Sequence, residues 1–231
     1  MVAAEINILS AGAVAPGLKI IGEHFERKTG QRVELTFATA PAILERVNTN
    51  AAVDIVIAPT VVLEDLTRSG KISNRRRVRL GRIGVGAMVR TGAPEPRIAT
   101  ADQLKESLQE AKSVVFNRAS TGSYLEKLFR RLGIGMEVEA KSIRYPDFAA
   151  VLDHISRGGN GEIGFGATTV IIENVQRGVT FVGALSAEIQ NYTAYEAAVV
   201  QYRAAGPAPR EFIEYLESTP ARSALAQAGI L

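Results

Sequence analysis

The chain has 231 residues, room for one large domain or two small ones with their own cores. Hydrophobic residues make up 46% and charged residues 22%, the balance of a globular protein, and no apolar run approaches the roughly 18–20 residues of a membrane span. There is no cysteine, which excludes disulfides, thiol catalysis and thiolate metal centres, and the net charge is only +3.

Strand-like and helix-like segments alternate from the start. Ile6–Leu9 is a short apolar run, and Leu18, Ile21 and Phe25 follow at helical spacing until Thr29-Gly30 closes the helix. Val33–Phe37 alternates as a strand, and Ile43, Leu44 and Val47 mark a second helix. Val53–Ala58, apolar except for Asp54, has the pattern of a buried parallel strand. A third helix carries Val62, Leu63 and Leu66. Three strand–helix units in succession imply a parallel sheet with right-handed crossovers.

The alternation then breaks. Arg75-Arg76-Arg77 with Arg79 reads as a solvated loop between lobes; without interleaved aromatics it is a poor nucleic-acid patch. Ile83–Val89 reads as a crossing strand. Beyond Gly92–Pro96 the alternation resumes with a helix capped by Thr100, a strand at Ser113–Phe116, and a helix with Leu125, Leu128 and Phe129 ending at Gly133. A strand at Ala140–Tyr145 follows, then a helix with Val151, Leu152 and Ile155, a strand at Glu162–Phe165, a short helix near Thr168 and a strand at Thr180–Gly183. Thr193–Tyr202 is a mostly apolar extended stretch, and two terminal helices follow. The expected architecture is α/β in two lobes, each a mostly parallel sheet flanked by helices. Residues 1–82 and 190–231 form lobe 1, and residues 83–189 form lobe 2.

Three small polar segments sit where a strand gives way to a helix: Ser10-Ala11-Gly12, Thr39-Ala40-Pro41 and Ser120-Thr121-Gly122. A helix start leaves free backbone N–H groups and a partial positive charge, so it attracts anions. Each segment can also be an ordinary turn or cap. Together they suggest a chain that holds a small anion where the carboxyl ends of strands face an interlobe cleft. His24 and His154 lie on separate predicted helices, too few and too far apart for a metal site, and no cofactor is expected. The amino terminus, Met1-Val2-Ala3-Ala4-Glu5, does not read as an intact signal peptide, which leaves a cytoplasmic or a processed protein open.

In order and spacing, several segments resemble the periplasmic solute-binding proteins of the type II fold, in particular the molybdate-binding-like group. They are Ile8–Ala13, Phe25–Gly30, Ala52–Ile57 and Gly161–Phe165. The resemblance implies first-lobe contacts from Ser10, Ala11, Gly12 and Thr39, with Thr60 weaker, and second-lobe contacts from Ser120, Thr121 and Gly122. It also implies a periplasmic monomer that serves a membrane permease and an ATPase of an ABC transporter. The first loop lacks the serine-rich form of molybdate binders, and Phe165-Gly166 replaces their valine–tyrosine pair. Arg118, beside the second-lobe loop, suits a carboxylate bidentately, so an organic di- or tricarboxylate is favoured over molybdate. Glu188–Thr193 resembles a subgroup described as aconitate isomerases. That opens an enzymatic alternative in which a double bond moves by proton transfer. Tyr192 would touch the ligand, and Asp147, Glu162, Glu188 and Tyr192 are candidate proton carriers. The sensing half of a regulator is a third possibility; it would need a separate DNA-binding partner.

Overall fold

A computed structural model describes residues 5–202 and 206–231. Met1–Ala4, the segment read above for a signal peptide, lies outside the described residues. The chain divides into two units. Unit one is the chain up to Ile83 together with Thr193–Leu231, and unit two is Gly84–Tyr192.

Unit one contains β1 (Glu5–Ala11), α1 (Ala15–Thr29), β2 (Arg32–Ala38), α2 (Ala40–Asn48), β3 (Ile55–Pro59), α3 (Thr60–Arg68) and β4 (Ile72–Ile83). Its sheet order is β2-β1-β3-β10-β4, where β10 is Thr193–Val200. β1 pairs in parallel with β2 and β3, whereas β10 is antiparallel to both β3 and β4. β3 is buried along its whole length because helices cover both faces, which explains its continuous apolar run. α1 buries Leu18, Ile21, Gly22 and Phe25 on one stripe and stops at Gly30, whose φ of 72° suits glycine. The terminal helices α9 (Ala208–Tyr215) and α10 (Thr219–Gln227) pack in this unit, with Phe212 and Tyr215 edge-on to Phe25 at 5.0 and 5.4 Å.

Unit two contains β5 (Val85–Arg90), α4 (Ala101–Glu110), β6 (Ser113–Asn117), α5 (Ser120–Arg131), α6 (Gly135–Ala140), β7 (Ser142–Tyr145), α7 (Phe148–Arg157), β8 (Glu162–Ala167), α8 (Thr168–Glu173) and β9 (Val179–Ala184). Its order, β7-β6-β8-β5-β9, repeats that of unit one, with β5 as the reversed strand. In each sheet the reversed strand is the one by which the chain enters from the other unit. One face of the second sheet holds Phe116, Phe129 and Phe165 in edge-on contact, and the other packs Val115 and Met88 under α7.

Three expectations need correction. The arginine run is not a loop but part of β4, the edge strand of unit one. Arg76 pairs with Glu214 and Glu217, and Arg77 with Glu196, so distant carboxylates hold arginines that the local sequence presents as solvated. Charge along an edge strand also discourages pairing with other chains. The crossing strand Ile83–Val89 is two strands, with β4 ending at Ile83 and β5 starting at Val85. Ala140 ends a short helix, α6, which buries Val138 and whose N-cap Ile134 is buried four residues earlier, and β7 starts only at Ser142.

The two passages between units are tied down locally. Ile83 pairs with Thr193 in unit one. In unit two the Gln190 amide oxygen accepts from Val85 N (2.7 Å) and Asn191 N (3.0 Å), while its nitrogen donates to the carbonyls of Val85 (3.0 Å) and Leu185 (3.1 Å). A side chain at Gly84 would crowd Gln190 at 3.0 Å. Replacing Gln190 by leucine strands the Val85 N–H, while the Val85 carbonyl keeps its bond from Leu185 N (3.0 Å). We expect Gln190→Leu to lose about 2 kcal/mol in urea unfolding and to speed amide exchange at Val85; unchanged values would contradict this account.

Candidate functional site

Register places the three helix starts of unit one side by side. Ala11 of β1 stands beside Ala38 of β2, and Ser10 pairs with both Phe37 and Ile57, so Gly12, Thr39 and Thr60 follow neighbouring strand ends. Ser10 is fully buried and its hydroxyl donates to the Ala11 carbonyl (3.2 Å). Ala11 is buried too, and its side chain caps nothing. Gly12 faces open space where a Cβ would go, so packing does not demand glycine there. Thr39 is the N-cap of α2 in extended backbone, yet its side chain makes no capping bond. Pro41 has no N–H, so the first-turn donors left without a side-chain cap are those of Ala40 and Ala42.

Thr60 differs. Its hydroxyl donates to Glu196 Oε1 (3.2 Å) and approaches the Ala194 carbonyl at 3.5 Å. The first residue of α3 thus already donates its hydroxyl to a carboxylate supplied by β10. None of the starts after β1, β2 and β3 has a side-chain cap, and the one after β3 differs in its Thr60–Glu196 bond.

Unit two repeats the layout. Asn117 of β6 pairs with Tyr145 of β7, and Arg118 N donates to the Tyr145 carbonyl (2.8 Å). The N-cap of α5 is Ala119, which has no side-chain acceptor, so the N–H groups of Ser120, Thr121 and Gly122 begin an uncapped helix. Ser120 and Thr121 are half-buried and Arg118 is exposed. Gly122 has a packing role of its own: a Cβ there would lie 1.8 Å from the Asn117 carbonyl oxygen. Tyr192 is 45% exposed at the last position of the unit. Thr168, at the start of α8, is the topological counterpart of Thr60 and had no sequence signal beyond its place after a strand.

Of the proposed proton carriers, three have structural tasks. Asp147 caps α7 by accepting from Ala150 N (3.0 Å). Glu162 lies at the amino end of β8, where it accepts from Ser113 and from Gly159 N and faces His154 at 3.4 Å. Glu188 accepts from Ala101 N (2.6 Å). The carboxylate at the helix-start edge that sequence reading passed over is Glu196, whose signal was a lone acid within the apolar run of β10. Among the described residues no group of three or more His, Asp or Glu side chains could hold a metal ion.

Comparison with known proteins adds the family. The profile of the bacterial extracellular solute-binding proteins matches residues 6–231. The chain belongs to this family. An aconitate isomerase of Pseudomonas sp is 28% identical over 231 residues, covering 97% of this chain and 87% of that one. The fold is that of the periplasmic binding proteins of type II. The periplasmic molybdate-binding protein of Azotobacter vinelandii superposes with a TM-score of 0.82 at 13% identity, covering 98% of both chains. PEB3 with L-phospholactate bound superposes with a TM-score of 0.74 at 16% identity, covering 97% of this chain and 98% of that one.

The Gly122 contact can be tested directly. Gly122→Ala forces α5 away from the end of β6 and should lower stability by about 1–3 kcal/mol in urea unfolding. An unchanged midpoint would show that the helix start yields without strain.

Proposed function

We propose that this chain binds a small organic polycarboxylate through the uncapped helix starts of α2 and α5, with the Gly12 turn alongside. The observation that carries this reading is that the starts of α2 and α5 receive no side-chain cap and, among the described residues, face no carboxylate, whereas the Thr60 hydroxyl at the start of α3 already donates to Glu196. Thr39, Ser120 and Thr121 add hydroxyl donors, and Arg118 adds a planar guanidinium suited to a carboxylate. The relative named for aconitate supports an organic acid rather than a tetrahedral oxyanion. In an uptake role the protein would deliver its solute, as a periplasmic monomer, to a permease and ATPase of the ABC class.

Thermal shift tests the ligand class. A di- or tricarboxylate at about 100 times its Kd should stabilise the fold by about 2.7 kcal/mol, with no comparable shift from molybdate or sulfate. A response to molybdate alone would reverse the assignment. Thr39→Val and Ser120→Ala should each weaken binding by about tenfold, as expected for a lost hydrogen bond to a charged group. Ser218→Ala removes a cap from α10 and should leave affinity unchanged.

A second reading is favoured by the 28% identity to an aconitate isomerase along nearly the whole chain. In it, the bound ligand is an unsaturated tricarboxylate whose double bond is moved by proton transfer. Proton NMR of cis- or trans-aconitate with the protein separates the two: interconversion makes it an isomerase, and saturable binding without interconversion makes it a receptor.

A further inference from the structure

We propose that Glu196 is the base that moves the proton in an allylic isomerisation. The assignment rests on the second reading above and names the residue that would perform the step.

Among the described residues the buried carboxylates are Asp54 and Glu196, at 6% and 9% exposure. Asp54 precedes β3 at the amino edge of the sheet and accepts from Asn7 N (2.8 Å), far from any helix start. Glu196 is at the other edge. It pairs with Ala58, in the row that runs through Ala38 and Ala11 beside the open turns at Thr39 and Gly12. At about 4.8 Å per strand, Glu196 is about 10 Å from the Ala11 backbone, a distance that a glutamate side chain and a six-carbon tricarboxylate span together. Asp147, Glu162 and Glu188 are committed elsewhere, as described above.

Glu196 is held by one hydrogen bond and one long ion pair. A desolvated carboxylate needs partners. Thr60 supplies one hydrogen bond, to Oε1. Arg77 stands 3.6 Å from Oε2, beyond the 2.7–2.9 Å of a charge-assisted hydrogen bond. Arg77 is instead turned to the Leu63 carbonyl (3.1 Å) and the Thr67 hydroxyl, and its Nε is buried without a hydrogen-bond partner. Oε1 is thus oriented by Thr60, and Oε2 faces the Arg77 guanidinium as an ion pair without a hydrogen bond from it.

The step balances without a cofactor. The C–H bond of the substrate CH2 next to the double bond breaks, and its proton forms an O–H bond on Glu196. The electron pair becomes the new double bond as the old one shifts its electrons into the conjugated carboxylate. N–H groups at the start of α2 would stabilise that charge. Glu196 then returns a proton to the former vinylic carbon and regains its charge. The double bond has moved by one position, with nothing oxidised or reduced. Thr60 acts as a positioning residue through its bond to Oε1.

The test follows trans-aconitate by proton NMR in H2O and D2O with the wild type, Glu196→Gln and Glu196→Asp, alongside thermal shift on each. Glu196→Gln, which keeps a group for Thr60 to donate to, should lose at least about 100-fold in turnover and incorporate no deuterium into the substrate CH2. Its melting temperature should still rise with trans-aconitate as the wild type's does. Glu196→Asp should retain reduced but measurable turnover and deuterium incorporation. Turnover by Glu196→Gln within tenfold of the wild type would overturn the assignment alone. Loss of the ligand-induced shift together with turnover would assign Glu196 to holding the fold or ligand, and would also overturn it. A wild type that binds but does not interconvert would remove the isomerase reading and this assignment with it.

Discussion

The account depends on backbone N–H groups at helix starts that no N-cap side chain satisfies. An α-helix begins with donors that have no intrahelical acceptor, and their dipoles add to a local positive end. α4, α7 and α10 meet this requirement with the side chains of Thr100, Asp147 and Ser218. α2 and α5 do not, although Thr39 stands in the capping position of α2; α1, α3, α8 and α9 also lack a side-chain cap. Parallel strands feeding directly into helices place these starts in a row at the carboxyl edge of each sheet. Water can occupy them, but an anion satisfies both the hydrogen bonds and the dipole.

The same strand order in both units explains why the feature is duplicated. In each sheet the second strand in order, β1 or β6, is flanked by two parallel neighbours, and a reversed strand arrives from the other unit. Glu196 sits on one of those reversed strands, which is how a carboxylate comes to lie beside α3 while α2 stays open. A binding edge made entirely of donors favours any anion; one carboxylate at its end makes the edge chemically asymmetric. That asymmetry separates simple capture of a charge from recognition of a molecule with a second kind of group to present.

The alternation of apolar strands and amphipathic helices was readable from local spacing because both periods are local properties, and the buried run of β3 showed even its two-sided burial. The small polar turns at Thr39 and Ser120 could be located for the same reason. What escaped local reading involved partners distant in sequence. The arginine run looked solvated because Glu196, Glu214 and Glu217 lie more than a hundred residues away, and Glu196 itself passed as one polar residue in an apolar stretch. α6 was lost to a single turn of periodicity, too short to distinguish from the end of a strand. The packing demand on Gly122 depends on the approach of α5 to Asn117, which no spacing rule predicts.

The most direct test of the central claim is an amide NMR titration with trans-aconitate. The account predicts that the largest saturable shifts fall on the first N–H groups of α2 and α5 and on Gly12, with hydrogen exchange there slowed in the complex. Saturable binding that perturbs other amides and leaves these unmoved would contradict it.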